Sequence, residues 1–419
     1  MSLRAGFNSL RWLLLALGIG LVLAGAAASA PWGRVVLVLP GGGLMALGLV
    51  MAWWYLRPNA SRVNPGLAIE SWDVVADGMH NSNTDLIRWG DRFYLVHAVS
   101  PFHFASTRCQ LRLLTSADGH RWEDLAAFSS PDEDIRDPKL AVIAGKLFLY
   151  ALVNRSFDPE PYTTVWTCSE DGGRCWAPLQ PMAPEGWLLW KPKTQDGVLW
   201  HAGAYWHEHG KSALLVTGDG VNWQRVSSIF DAGRRNDETD IEFLPDGSLI
   251  ATARLEGEFR EWGYNMLFGD PTGATLIAGA KPPFTEFQPL AFSDVTRLDG
   301  PALFSHAGRV FAVGRYQPQL GRVFTRQGSI FARKRTSLFE VKPEGLTWLS
   351  DMPSAGDTAY AGVAQHAGSL YICYYTSPID RDYPWIVGMF NPTRIRMARL
   401  DLKSMIPTDQ GAGRPGDRP

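Results

Sequence analysis

The chain opens with two long apolar runs, residues 12–30 and 35–56, and beyond about residue 70 it changes to short stretches in which apolar and polar residues alternate. Each run is long enough to cross a hydrocarbon core of roughly 30 Å as a helix. Together they predict a helical hairpin, with Pro31, Trp32, Gly33 and Arg34 as its tight connection and Trp53, Trp54 and Tyr55 as an aromatic belt at headgroup level. The alternative for the first run is a signal peptide cleaved near the alanines at 26–28, after which the second run still anchors the chain. Arg4 and Arg11 precede the hairpin and Arg57 and Arg62 follow it, with Arg34 in the connection, so the positive-inside rule puts both ends in the cytoplasm.

The alternating stretches repeat. Gly90, Gly145, Gly197, Gly247, Gly308 and Gly368 each precede an apolar strand, as in Gly145-Lys146-Leu147-Phe148-Leu149-Tyr150 and Gly368-Ser369-Leu370-Tyr371-Ile372. Their spacing, roughly 50 to 60 residues, is the length of one four-stranded propeller blade, and six blades close a ring without an exposed sheet edge. Three repeats add Ser/Thr-x-Asp-Gly leading to Trp: Ser116 to Trp122, Ser169 to Trp176 and Thr217 to Trp223. There the Ser or Thr and the Asp can bond their own turn backbone, Gly supplies positive φ and Trp packs back between sheets. These turns resemble the Asp boxes of sialidase-type propellers.

In a propeller the innermost strands line a central funnel, and each repeat places polar groups just before its Gly. They are Asn83-Thr84-Asp85, Arg136-Asp137-Pro138-Lys139, Lys191-Pro192-Lys193, Asp237-Glu238-Thr239-Asp240, Asp299-Gly300-Pro301 and Asp357-Thr358-Ala359-Tyr360. Such a pattern in every repeat predicts a shared polar cavity. The composition fits an all-β body, with 42 Gly and 28 Pro for its turns, and a net charge of -2 offers no basic excess for nucleic acid. Cys109, Cys168, Cys175 and Cys373 have no metal-ligand spacing, and His97, His103, His201, His207 and His209 suggest no metal. No cofactor is expected.

One segment carries a more specific resemblance. Glu238-Thr239-Asp240-Ile241-Glu242 through Asp246-Gly247 to Arg254 looks like the Glu-to-Arg strand pair of exo-sialidases, and Tyr360-Ala361-Gly362-Val363 with Tyr374-Tyr375 resembles their last-blade segment. The resemblance implies that Tyr360 is the nucleophile, that Glu238 polarises it, and that Arg254 belongs to an arginine cluster holding the substrate carboxylate, with Arg326 as a second member. A protonated Tyr is a poor nucleophile, so a carboxylate must accept its proton. A Tyr also suits an anomeric carbon that already bears a carboxylate, which would repel an Asp or Glu. Arginine meets that carboxylate with a planar fork that lysine lacks.

The first repeat departs from the pattern, because sialidases carry Arg-Ile-Pro and an acid/base Asp where this chain has Ser82-Asn83-Thr84-Asp85. Arg136-Asp137-Pro138 is the nearest match, leaving Asp85 or Asp137 as the acid and Arg136 as the third arginine. The bland reading of Arg136 and Asp137 is an ion pair at a strand start; of Tyr360 and Glu238, a packed aromatic and a turn acid. The same triplet occurs in five-bladed fructan and arabinan hydrolases, but six repeats argue against that fold. Lys191, Lys193 and Asp357 complete the expected substrate contacts.

The expectation is a six-bladed β-propeller over residues 61–405, preceded by the hairpin at 1–60 and followed by a disordered tail at 406–419. Its expected activity is hydrolysis of a terminal acidic ulosonic sugar, with retention, on a glycan or lipid-linked substrate at a bacterial inner membrane. Kdo on lipid A is the candidate sugar, and mature lipid A would meet the propeller on the outer face, against the arginine count. The competing expectation is a propeller that binds glycan or protein without turnover.

Overall fold

The computed structural model describes residues 3–155, 162–233, 235–257, 262–318 and 324–406; the tail after residue 406 lies outside them. Two antiparallel helices, α1 (Leu3–Ala27) and α2 (Pro31–Trp54), form the hairpin. Both are apolar and long enough to cross a membrane. The backbones meet where small residues allow it: a Cβ on Gly18 would stand 2.7 Å from Gly41 O. The connection falls earlier than expected, at residues 28–30, because Pro31 takes the first position of α2, where its missing N–H costs nothing.

The rest folds into six sheets of antiparallel strands. Five blades are built in chain order, from innermost strands at His80–Trp89, Asp134–Ile143, Trp187–Leu189 with Lys193–Thr194, Asn236–Phe243 and Asp299–His306. The sixth pairs Thr358–His366, Ser369–Thr376 and Arg394–Asp401 with Glu70–Val75, so the strand that enters the propeller also finishes it, with Trp72 opposite Met397. Joining the two ends of the chain in one sheet closes the ring. The six repeat glycines all occupy turns at positive φ between first and second strands. Alternate residues of adjoining blades interlock, as Val96, Leu111, Ile135 and Leu149 do between the first and second. Each such buried side chain contributes about 1.5–3 kcal/mol.

The three Ser/Thr-x-Asp-Gly turns stand between third and fourth strands. Asp118 Oδ1 accepts from the N–H groups of His120 and Arg121 at 2.8 Å, and Ser116 Oγ accepts from Gly119 N at 2.9 Å. Asp171 and Asp219 repeat the arrangement.

What positions the site is a defect repeated in the innermost strands. Register breaks between Ser82 and Thr84, Arg136 and Lys139, Asn236 and Thr239, Asp299 and Ala302, and Ala359 and Gly362, while the third blade's strand is interrupted at residues 190–192. A bulge leaves a residue unpaired and re-aims its side chain. Asn83, Asp137 and Tyr360 sit at φ 47, 49 and 47°, conformations that cost of order 1–3 kcal/mol each in non-glycine residues. Gly300 fills the equivalent place in the fifth blade, where a Cβ would stand 2.8 Å from the Tyr360 ring.

Candidate active site

The bulged ends of the strands surround a cavity of about 300 Å³. The loops joining second to third strands rise around it and contribute His103 and Phe104, His209, Met266, Gly328 and Trp385. At its floor Tyr360 Oη donates to Glu238 Oε1 at 2.5 Å, across residues from the sixth and fourth blades. Burial, reinforced by the Glu238 carboxylate, pushes the Tyr360 phenol well above its ordinary value, although Arg254 and Arg315 pull the other way. Tyr360 is therefore protonated at rest, and such a phenol could act as a nucleophile only if Glu238 took the proton.

Arg254 spreads one nitrogen over both Glu238 oxygens at 2.8 and 2.9 Å and bonds Glu256 with the other. Beside it stand Arg297, bonded to Glu256 Oε2 at 2.5 Å, and Arg315, whose guanidinium lies 5.1 Å from the Tyr360 ring centroid. Asp299, outside the cavity lining, ties all three together: its carboxylate lies 3.3 Å from Arg254 Nε, 2.8 Å from Arg297 Nε and 3.4 Å from Arg315 NH1. Burial alone would raise Glu256, yet Arg254 and Arg297 hold it down at about 2. Asp299 is likewise depressed against its burial by Arg254 and Arg297. The guanidinium groups are thus fixed before any ligand arrives, as electrostatic preorganisation requires.

The candidates from sequence divide. Tyr360, Glu238, Arg254, Arg136 and Asp137 all line the cavity. Arg136 is paired with Asp134, and Asp137 accepts from the Asn83 amide. Asp85, Lys191 and Lys193 do not reach it; Asp85, two residues along from the bulge at Asn83, lies with both lysines in a second, lower cavity beside Lys139 and Asp240. There Asp85 accepts from Lys191 Nζ and from Leu140 N at 2.6 Å, which fixes it as a strut between blades and removes it as the acid. Asp357 is fully buried behind the wall instead of touching substrate space. Arg326 stands outside the lining, its loop held through its own carbonyl to Gln317 Nε2 at 2.8 Å.

Among the lining residues that sequence reasoning missed are Arg297, Arg315, Glu256 and His103. A signal for Arg315 existed: it stands seven residues after Gly308, as Arg254 does after Gly247. His103 lies in a connecting loop, where no strand period marks it. His80, His103 and Asp357 bring donor atoms within 4.8 Å of one another. The contacts to Asp357 Oδ2, 3.0 Å from His80 Nε2 and 2.6 Å from His103 Nδ1, are hydrogen bonds, shorter than the separation of about 3.3 Å that Zn–N bonds of about 2.0 Å set between tetrahedral ligands.

No family model and no curated protein matches the chain. Solved structures do match in shape. A Dyadobacter fermentans protein of unknown function superposes with a TM-score of 0.59 at 15% identity, covering 81% of this chain and 100% of its own. The endosialidase of phage phi92 gives 0.59 at 9% identity over 84% of this chain and 71% of its own, and Trypanosoma rangeli sialidase in complex with sialic acid gives 0.53 at 12% over 81% and 60%. The chain is a six-bladed β-propeller of the shape that sialidases share.

Proposed function

We propose that the protein is a retaining exo-glycosidase for a terminal acidic ulosonic sugar. The observation that carries this reading is the 2.5 Å hydrogen bond between Tyr360 and Glu238 at the floor of an arginine-lined cavity. In the proposed reaction Tyr360 Oη attacks the anomeric carbon while Glu238 accepts its proton, and Arg254, Arg297 and Arg315 hold the sugar carboxylate. The bond to the leaving oxygen breaks as that oxygen is protonated. Water then displaces Tyr360 from the face that the leaving group had occupied, and the two inversions give retention.

A membrane-borne substrate, with lipid-linked Kdo as the candidate, is supported by where the hairpin sits. Helix α4 (Trp385–Phe390), whose Trp385 and Met389 line the cavity, packs against α1. From the end of α2, aromatic rings run from Trp54 to Phe331 at 5.9 Å, on to Phe324 at 5.8 Å and to Phe268 at 5.2 Å. Phe268 ends α3 (Trp262–Phe268), whose Asn265 and Met266 also line the cavity. The chain leaving α2 is fastened to the same face, with Asp382 N donating to Arg57 O at 2.8 Å. The cavity rim and the apolar helices therefore share one side of the propeller, where two membrane passes would hold the funnel beside lipid.

The test is mass spectrometry of the protein treated with a 2,3-difluoro ulosonic acid, of the Kdo and sialic acid types in parallel. An adduct on Tyr360, absent in Tyr360→Phe, is expected. Binding of either reagent without any adduct would leave the non-catalytic propeller as the better reading. On lipid-embedded substrate, removal of residues 1–56 should lower turnover while a soluble ulosonide is still cleaved; equal turnover on both would remove the anchoring role.

A further inference from the structure

The reaction proposed above needs a proton donor for the leaving oxygen, and Asp85 is locked in the lower cavity. We propose that His103 is the acid/base residue, oriented by Asp357 as a positioning residue; this rests on the glycosidase reading. Asp357 is a hub built only of donors. Its Oδ1 accepts from Tyr375 Oη at 3.0 Å and Trp385 Nε1 at 2.8 Å, and its Oδ2 from His80 Nε2 at 3.0 Å and His103 Nδ1 at 2.6 Å. Burial would raise this carboxyl, but His103 and His80 hold it well below its ordinary range, so it stays an acceptor. The proton shared with His103 then lies on Nδ1, and the tautomer follows from the network. Among the described residues Nε2 of His103 has no hydrogen-bond partner, and the residue lines the cavity with its side chain 24% exposed.

The ring cannot easily turn away. His103 N donates to Met389 O at 3.0 Å, and Trp385 and Phe104 meet the ring edge-on at 5.5 and 5.7 Å. His209, on the same rim, is differently employed: Nδ1 is held by Asp237 and Nε2 faces Arg235 NH2 at 2.8 Å. His103 thus has the arrangement of a general acid, one nitrogen on a buried carboxylate and the other free of protein partners on a residue that lines the cavity. In the first step protonated Nε2 gives its proton to the leaving oxygen as the bond from that oxygen to the anomeric carbon breaks and the bond to Tyr360 Oη forms. In the second, neutral Nε2 takes a proton from water as its oxygen attacks the anomeric carbon, and Tyr360 Oη leaves and regains its proton from Glu238. The charged and titratable groups around the ring are Asp357, His80, Arg315 and Tyr375, with Arg136, whose charge also acts on His80, and Asp137 in the same cavity lining.

The experiment compares His103→Gln and Asp137→Asn with the full-length wild type on methyl and 4-methylumbelliferyl ketosides of the sugar that forms the Tyr360 adduct. The aryloxide departs without a proton, whereas methoxide does not. His103→Gln should lose about 10²- to 10⁴-fold in kcat/KM on the methyl ketoside and less than about tenfold on the aryl one. It should also lose the basic limb of the wild-type pH profile, because the acid works only when protonated. Equal losses on both substrates, an unchanged methyl rate, a leaving-group effect in Asp137→Asn instead, or loss of wild-type turnover on chelation would each overturn the assignment. A wild type that neither turns over a ketoside nor forms the adduct would instead overturn the glycosidase reading itself.

Discussion

The two layers of the central channel are made from the same strands, two residues apart, and both are rich in charge, yet they are built for different ends. In the lower layer the charges are closed on other blades. Asp85 holds Lys191 and Leu140 N, while Asp240 holds Lys193 at 3.1 Å and Leu303 N at 2.7 Å. Lys139, lacking a carboxylate in bonding range among the described residues, sits 4.0 Å from the centroid of the Trp190 ring. In the upper layer the bulges turn the side chains inward, and the acids hold arginines in place around open space. Charge in a funnel therefore says little by itself; what matters is whether it is closed on another blade or faces a cavity.

Removing a lower-layer acid tests that contrast with the largest expected effect on folding. Asp85→Ala strands Lys191 and an amide N–H, and a broken buried pair of this kind costs about 3 kcal/mol or more. Denaturant titration should register that loss while kcat per folded molecule stays near wild type. Intact stability with kcat reduced a hundredfold would mean that the lower layer takes part in the chemistry after all.

The upper layer should respond in the opposite sense. Arg315→Lys keeps a charge but loses the fork that meets Thr358 O at 2.9 Å and Tyr375 Oη at 2.8 Å, and kcat/KM should fall by about 10²- to 10³-fold. Arg326→Lys, outside the cavity, should stay within about twofold of wild type. The reverse ranking in steady-state kinetics would restore the arginine set first read from sequence.

The frame of the propeller was legible because its cause is local: a glycine at positive φ in each hairpin turn and alternation at period two mark every blade. Tyr360, Glu238 and Arg254 were legible because the same frame carries them. Arg315 was equally within reach by its distance from Gly308, and choosing Arg326 meant leaving that frame for a loop. The bulges were not legible. They shift side chains without any composition signal, so Asn83 and Asp85, or Asp137 and Lys139, look alike in sequence and fall in different layers. His103 depends on a loop whose conformation is set by distant partners, Asp357 and Met389, which no local pattern reports.

The smallest expected effect, and the sharpest on the arginine cluster, is in acid. Glu256 is held at about 2 by Arg254 and Arg297 in spite of its burial, whereas in the unfolded chain it titrates near 4.3. A carboxyl whose pKa is lower when folded contributes stability that is fully present above the unfolded value and is lost as pH falls through the folded one. Denaturation midpoints followed downward should therefore begin to drop below about pH 4.5 and continue to about pH 2. Asp299, depressed by the same arginines, adds to the slope. Glu256→Gln should lower stability at pH 7 and flatten the decline between pH 4.5 and 2, because its own proton uptake is gone. A variant whose midpoint runs parallel to wild type across that window would mean that Glu256 does not hold the arginines in solution, and the upper layer would lose its claim to be fixed before substrate binds.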